Sequence, residues 1–255
     1  MSAPVRTLWF AGSILVAAAL VGLWQLVADH GGIPPVFLPG PDRAWSALVR
    51  GLSGGGDLGR LTGATIERMV YGWILASLIG IALGALIGSS RVARAYVAPT
   101  LEMVRPIPVS AFMPIVIAFL GLTGDMVLVV IAIGSIWPVL LATVHGVSAV
   151  EPRLIEVSRV LKLGRLATLW KVALPNAQVD ILAGMRLGLT IALILAVIGE
   201  MLTSEDGLGS YVLLSARAFK SSEVFAGVIL LGAIGLVSNL ALQAAEHRLL
   251  RWTRR

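Results

Sequence analysis

Residues 69–88 read Met69-Val70-Tyr71-Gly72-Trp73-Ile74-Leu75-Ala76-Ser77-Leu78-Ile79-Gly80-Ile81-Ala82-Leu83-Gly84-Ala85-Leu86-Ile87-Gly88, an uncharged run of 20 residues. A bilayer core about 30 Å thick is crossed by about 20 apolar helical residues, so this run has the length and character of a membrane span. Gly80, Gly84 and Gly88 recur every fourth position, which places them on one helix face where a neighbouring backbone can come close. The rest of the chain agrees. Of its 255 residues 57% are hydrophobic and only 13% charged, and the mean hydropathy is +0.91. That balance does not supply a soluble globule with a polar surface. The apolar runs do not alternate as barrel strands would, so an all-α polytopic membrane protein is expected.

Outward from that run, five more spans are expected at residues 8–28, 99–122, 126–144, 181–199 and 224–242, making six with 69–88. Residues 8–28 are long for a signal peptide and lack a clean small-residue cleavage site, so they read as a retained anchor. The segment 99–122 is irregular, because Glu102 and Arg105 lie in it and Pro106, Pro108 and Pro114 interrupt it. Between the first two spans, Trp45, Leu48, Val49 and Leu52 form one stripe of a short surface helix that starts at Pro41-Asp42, and Ser53-Gly54-Gly55-Gly56 reads as a turn. With the N-terminus inside, the cytoplasmic segments collect twelve of the 20 Lys and Arg residues and the outer ones six. The positive-inside bias therefore puts both termini in the cytoplasm, and it accounts for the net charge of +6 without a nucleic-acid partner.

Three features exclude whole classes of chemistry. There is no cysteine, hence no disulfide, thiol nucleophile or thiolate metal site. His145 and His247 have no ligand partner at metal spacing, and Trp24, Trp45 and Trp252 read as interfacial anchors. No phosphate-cradling Gly-x-x-x-x-Gly-Lys-Ser/Thr loop occurs; Gly54 to Gly59 followed by Arg60-Leu61 lacks both the lysine and the hydroxyl. The chain itself is expected to hold no cofactor and to catalyse no reaction.

The segment 150–175 is too long for a plain connector and too apolar for disorder. Leu154, Val157 and Leu161 make one helical stripe. After a break at Gly164, Leu166, Leu169, Trp170 and Ala173 make another. Two short amphipathic helices meeting at an angle are expected, with Arg153, Arg159, Lys162, Arg165 and Lys171 around them.

Here the residues resemble the coupling motif of bacterial binding-protein-dependent ABC importer permeases: a Glu-Ala-Ala, a Gly six positions after the Glu, and a closing Leu-Pro. Glu156 and Leu174-Pro175 stand at that spacing. Val157 and Ser158 replace the alanines, and Lys162 holds the glycine position, with Gly164 two residues on. Leu38-Pro39-Gly40-Pro41, Arg68 with Gly72, Arg105-Pro106-Ile107-Pro108 before Pro114, Gly121, Trp137-Pro138, Gly146, Gly184 with Arg186, Glu200-Met201 and Gly207-Leu208-Gly209 are similar to the nitrate, sulfonate, taurine and bicarbonate branch, in order and spacing. The resemblance implies a type I importer permease fold in a bacterial inner membrane. It also implies a homodimer of permeases, two cytoplasmic ATPase subunits that bind ATP and Mg, and an external substrate-binding protein. Arg153, Glu156, Arg159, Lys162, Gly164 and Pro175 are then the residues expected to couple the chain to the ATPase.

An arginine at mid-bilayer costs about 2.5–3.5 kcal/mol on insertion scales, so Arg105 and Arg186 need a partner or a watery cavity. Glu102 is three positions before Arg105. For Arg186, Asp180, Glu200 or a residue of another span remain open. Ordinary ion pairing is the simpler reading, and the sharper one places Glu102, Arg105, Arg186 and Glu200 along a translocation path for a small anion. The rival architecture, an ATPase-independent secondary transporter or channel, usually shows two similar halves, and the first three spans do not repeat in the last three. A membrane-embedded enzyme has still less support, because no nucleophile, base or carboxylate pair converges on one helix face.

Overall fold

The computed structural model describes residues 3–53, 56–104 and 106–250, and for residues 3–8 and 10 the backbone alone. The Gly54-Gly55 turn, Arg105 and the basic tail 251–255 with Trp252 lie outside the described residues. Among those described, every regular element is helical. Five helices are long and apolar enough to cross a membrane, and the bent pair Arg91–Val104 and Val109–Leu120 would make a sixth span.

The centre is a three-helix packing of α3 (Leu58–Ser89), α6 (Gly124–Ser148) and α9 (Leu174–Thr203). The glycine face of α3 meets α6. A methyl group placed on Gly84 would sit 2.6 Å from Thr143 Cβ and 2.8 Å from the Leu140 carbonyl oxygen, so the two helix backbones touch there and only glycine permits it. Gly184 of α9 lies equally close to the α6 backbone, at 2.6 Å between an added Cβ and the Pro138 carbonyl oxygen. Small residues thus do between lipid-embedded helices what water exclusion does in a soluble core: they allow dense van der Waals contact. Met69, Met126, Val127, Val130 and Ile131 fill the layer above and are essentially fully buried.

The remaining elements wrap this core. The proline-rich segment breaks as its composition predicts: α4 (Arg91–Val104) is followed by a 3-10 turn at Val109–Phe112 and by α5 (Met113–Leu120), the two halves bent by 88°. Pro106 and Pro108 offer no amide to continue α4. α5 then stops at Gly121, whose φ of 68° is left-handed. α2 (Pro41–Leu52) begins at the expected Pro41. Its stripe is divided, however: Leu48 turns inward with Ala44 and Ala47, while Trp45, Val49 and Leu52 stay exposed. α1 (Ala3–His30) is peripheral, with none of its apolar window buried. Trp24 ties it down by stacking on Phe225 at 5.2 Å and donating its indole N–H to the Pro39 carbonyl at 3.1 Å. α10 (Leu208–Arg217) and α11 (Ser221–Leu249) close the chain.

In the 150–175 segment the structure departs from the two-helix expectation. α7 (Pro152–Val160) is separate, but the second stripe is not a free helix. α8 (Arg165–Thr168) passes through a π turn at Leu169–Ala173 directly into α9, giving one helical rod of 39 residues, Arg165–Thr203. Pro175 therefore lies inside a helix. It has no amide to bond back to the preceding turn, and the wider π turn just ahead of it takes up its ring.

Candidate functional site

The amphipathic handle formed by α7 and α8 is built from local backbone rules. α7 ends in a Schellman arrangement: the Leu163 amide donates to the Ser158 carbonyl and the Lys162 amide to the Arg159 carbonyl, each at 2.9 Å. That closure needs a left-handed residue, and it is Lys162, with φ 53°. The family glycine position thus keeps the backbone shape of glycine with a lysine in it. Gly164, expected as the break, has an ordinary extended conformation (φ −67°, ψ 163°) and open space around its Cα, so nothing local demands glycine there.

The apolar stripes divide by destination. Leu169 and Ala173 pack inward with Val147, Ala177 and Ile181, anchoring the handle to the bundle. Leu161 (65% exposed), Leu166 (69%) and Trp170 (65%) face outward beside Leu154 and Val157. Such a cluster of large apolar side chains on a loop rimmed by cations is a surface awaiting a partner. Glu156, Arg159, Lys162 and Gly164 are exposed. Arg153 pairs only with Glu151, at 3.7 Å, and Glu156 makes no ion pair among the described residues.

At the far end of the same rod a polar clamp joins Thr65 and Arg68 of α3 to residues 132 or more positions further along the chain. Glu200 is 0% exposed, and its carboxylate accepts from Arg68 Nη1 (3.0 Å), Thr65 Oγ1 (3.0 Å) and the Gly209 amide (2.9 Å). Arg68 also donates to the Asp206 carbonyl at 2.6 Å and approaches Glu205 at 3.4 Å, and the Leu208 amide donates to Thr65 Oγ1 at 2.9 Å. A buried carboxylate is tolerable only when so fully bonded. Gly207 is required for space: an added Cβ would stand 2.1 Å from the Glu200 carboxyl carbon.

Arg186 is held differently. Its Nη2 bonds Glu246 of α11, a partner on another span rather than Asp180 or Glu200, while its buried Nε has no partner among the described residues. Glu102 is exposed near the end of α4. Among the described residues no hydrogen bond or ion pair links Glu102, Arg186 and Glu200. Glu200 belongs to the clamp, Arg186 pairs with Glu246, and Arg105 is outside the described residues. Sequence reasoning missed the roles of Thr65, Arg68 and Glu246, whose only signal was a charge or hydroxyl within or beside an apolar run.

Comparison with known proteins decides what carries this arrangement. Residues 76–255 match the family described as binding-protein-dependent transport system inner membrane component. The chain belongs to that family. This permease is 32% identical over 245 residues to the putative aliphatic sulfonates transport permease protein SsuC of Bacillus subtilis, covering 96% of the chain and 88% of the relative. It is 31% identical over 246 residues to the taurine transport system permease protein TauC of Escherichia coli, covering 94% and 89%. It is 30% identical over 226 residues to the nitrate import permease protein NrtB of Leptolyngbya laminosa, covering 86% and 80%. Its fold is that of the MetNI methionine ABC transporter in an inward-facing conformation, at a TM-score of 0.65 and 19% identity, covering 78% of this permease and 96% of that chain. The permease is thus a multi-pass membrane subunit of an ABC importer.

Proposed function

We propose that the permease imports a small oxyanion-bearing solute of the sulfonate, taurine or nitrate class, driven by ATP hydrolysis in a partner bound to its α7–α8 handle. The names of its relatives support the solute class. The mechanism rests on one observation, the continuity of the exposed handle with α9: Leu166 and Trp170 face outward on the same rod that carries Arg186 and Glu200. A closing motor that grips α7 and α8 moves a membrane span directly, because no hinge of irregular chain intervenes. ATP and Mg belong to that motor. Two permease copies, two ATPase subunits and an external binding protein complete the assembly, and the excess of Lys and Arg puts the handle and both termini in the cytoplasm.

The test is capture and uptake together. Replacing Leu161, Leu166 and Trp170 with Glu should abolish co-purification of the ATPase subunit and, in vesicles loaded with ATP and supplied with binding protein, abolish uptake. Retained ATPase capture with undiminished uptake would sink the proposal, as would labelling of a cysteine placed at position 166 from the periplasmic side.

A further inference from the structure

Three helices end together on one side of the bundle, where α1 stops at His30, α3 starts at Leu58 and α11 starts at Ser221. This side lies opposite the handle: α3 and α6 run parallel, Gly72 meeting Ile131 and Gly88 meeting Val147, and the handle follows the far end of α6. α2 lies across the three ends, in contact with α1, α3 and α11. Their level is fixed by Trp24, four residues before the apolar run of α1 ends at Ala28, which stacks on Phe225, one residue after that of α11 begins at Val224. This is the edge of the hydrocarbon, where the headgroup layer adds about 5–7 Å.

An open cleft of about 310 Å³ sits at this level between α2 and the α10–α11 corner. The corner is fixed by a Schellman closure about the left-handed Phe219 (φ 56°), the Lys220 amide donating to the Ser215 carbonyl at 2.9 Å, and Ser221 Oγ ties it to the Val36 carbonyl. It contributes Lys220, Ser222 and Glu223 to the cleft, while α2 contributes Arg43 and Arg50, seven positions apart and so on one side of the helix. Glu223 is engaged by Lys220 at 3.6 Å and by Ser215 Oγ at 3.3 Å. Arg43 and Arg50 are exposed, and neither side chain has a hydrogen bond or ion pair among the described residues. Three cations against one carboxylate give the lining a net charge of +2.

We infer that this cleft holds the phosphate of an anionic phospholipid from the leaflet opposite the handle, with Arg43 and Arg50 as charged donors and Lys220 and Ser222 beside them. Guanidinium pairs suit phosphate, and at this depth phosphate is what the bilayer presents. The other exposed flank of α2 carries Trp45, Val49 and Leu52, the side chains of a helix that lies in the interface with its apolar flank in the acyl boundary. A soluble acidic partner would satisfy the arginines but leave those three in water; lipid satisfies both. The net charge disfavours a zwitterionic head group, whose ammonium would be brought against the same cations. The inference holds whichever solute is imported.

The test titrates the assembled transporter in detergent with phosphatidylglycerol, with phosphatidylcholine of the same acyl chains and with glycerol phosphate, counting bound molecules by native mass spectrometry. The wild type should prefer phosphatidylglycerol to phosphatidylcholine by about 10- to 30-fold, since each basic residue at an anionic surface contributes about five-fold. In Arg43→Gln/Arg50→Gln the preference should fall below about three-fold. Arg217→Gln, an exposed cation of α10 outside the cleft, should keep it. No preference in the wild type, or an unchanged one in the double variant, would overturn the inference. Glycerol phosphate bound as tightly as phosphatidylglycerol would mark a site for soluble anions and overturn it as well. So would a double variant that keeps the lipid preference but no longer captures the external binding protein, because the cleft would then be a protein-docking surface. Where the double variant does not yield folded transporter, Arg50→Gln alone decides: a loss of about five-fold is expected, and no loss sinks the assignment.

Discussion

Glu200 shows what a single carboxyl side chain must satisfy to be buried inside this bundle. Three donors from two helices, α3 and α10, converge on it, and Arg68 supplies the only full positive charge among them. Arg68→Met would leave that carboxylate buried without a counter-charge. The variant is expected to lose about 3–5 kcal/mol of stability, the usual penalty for breaking one side of a buried pair. Thermal unfolding in detergent measures this, and an unchanged midpoint would mean that Glu200 does not depend on Arg68. The sequence displayed both residues, each at the edge of an apolar run, but not their pairing. With 132 positions between them, no periodicity links them, and only the packing of α3 against α9 does. For Arg186 the reading of the residues left three partners open, and the structure chose the one on another span because α11 passes alongside α9 there.

At the level of elements, the end of α7 offers a cleaner test. Lys162 sits at φ 53° to complete the Schellman closure, and an L-residue in the left-handed region costs roughly 1 kcal/mol. Lys162→Gly should therefore stabilise the handle by about 1 kcal/mol, seen as slower amide exchange in α7, whereas Lys162→Pro should unravel the closure because proline cannot reach that φ. Slower exchange in the proline variant would contradict this account. The handle was largely legible from its stripes and from Leu174-Pro175. The fusion of α8 to α9 was not, because a proline normally marks a helix boundary, and only the π turn ahead of it lets the helix run through Pro175. The broken 99–122 segment was legible for the opposite reason: Pro106 and Pro108 leave α4 no amides with which to continue.

For the molecule as a whole, the spans and the glycine-lined core followed from hydrophobic runs and a four-residue period, the two signals that a bilayer imposes most strictly. The arrangement of the periphery did not, since α1 buries none of its apolar window and is tied on by Trp24. A chain lacking residues 1–28 should accordingly keep the α3–α6–α9 bundle, with a melting midpoint within about 4 °C of the intact protein, a change of about 1 kcal/mol at this size. Failure of the shortened chain to unfold cooperatively would show that α1 is structural after all.

The uninterrupted helix Arg165–Thr203 carries a further consequence. At 1.5 Å per residue it is about 58 Å long, nearly twice the thickness of the hydrocarbon it crosses. A tilt of about 10° about one tip swings the other sideways by about 10 Å. With the Glu200 clamp only three residues from the tip at Thr203, a push at Trp170, about 45 Å away along the axis, would be spent as sideways travel of the near half of the helix and would fade to almost nothing at Glu200.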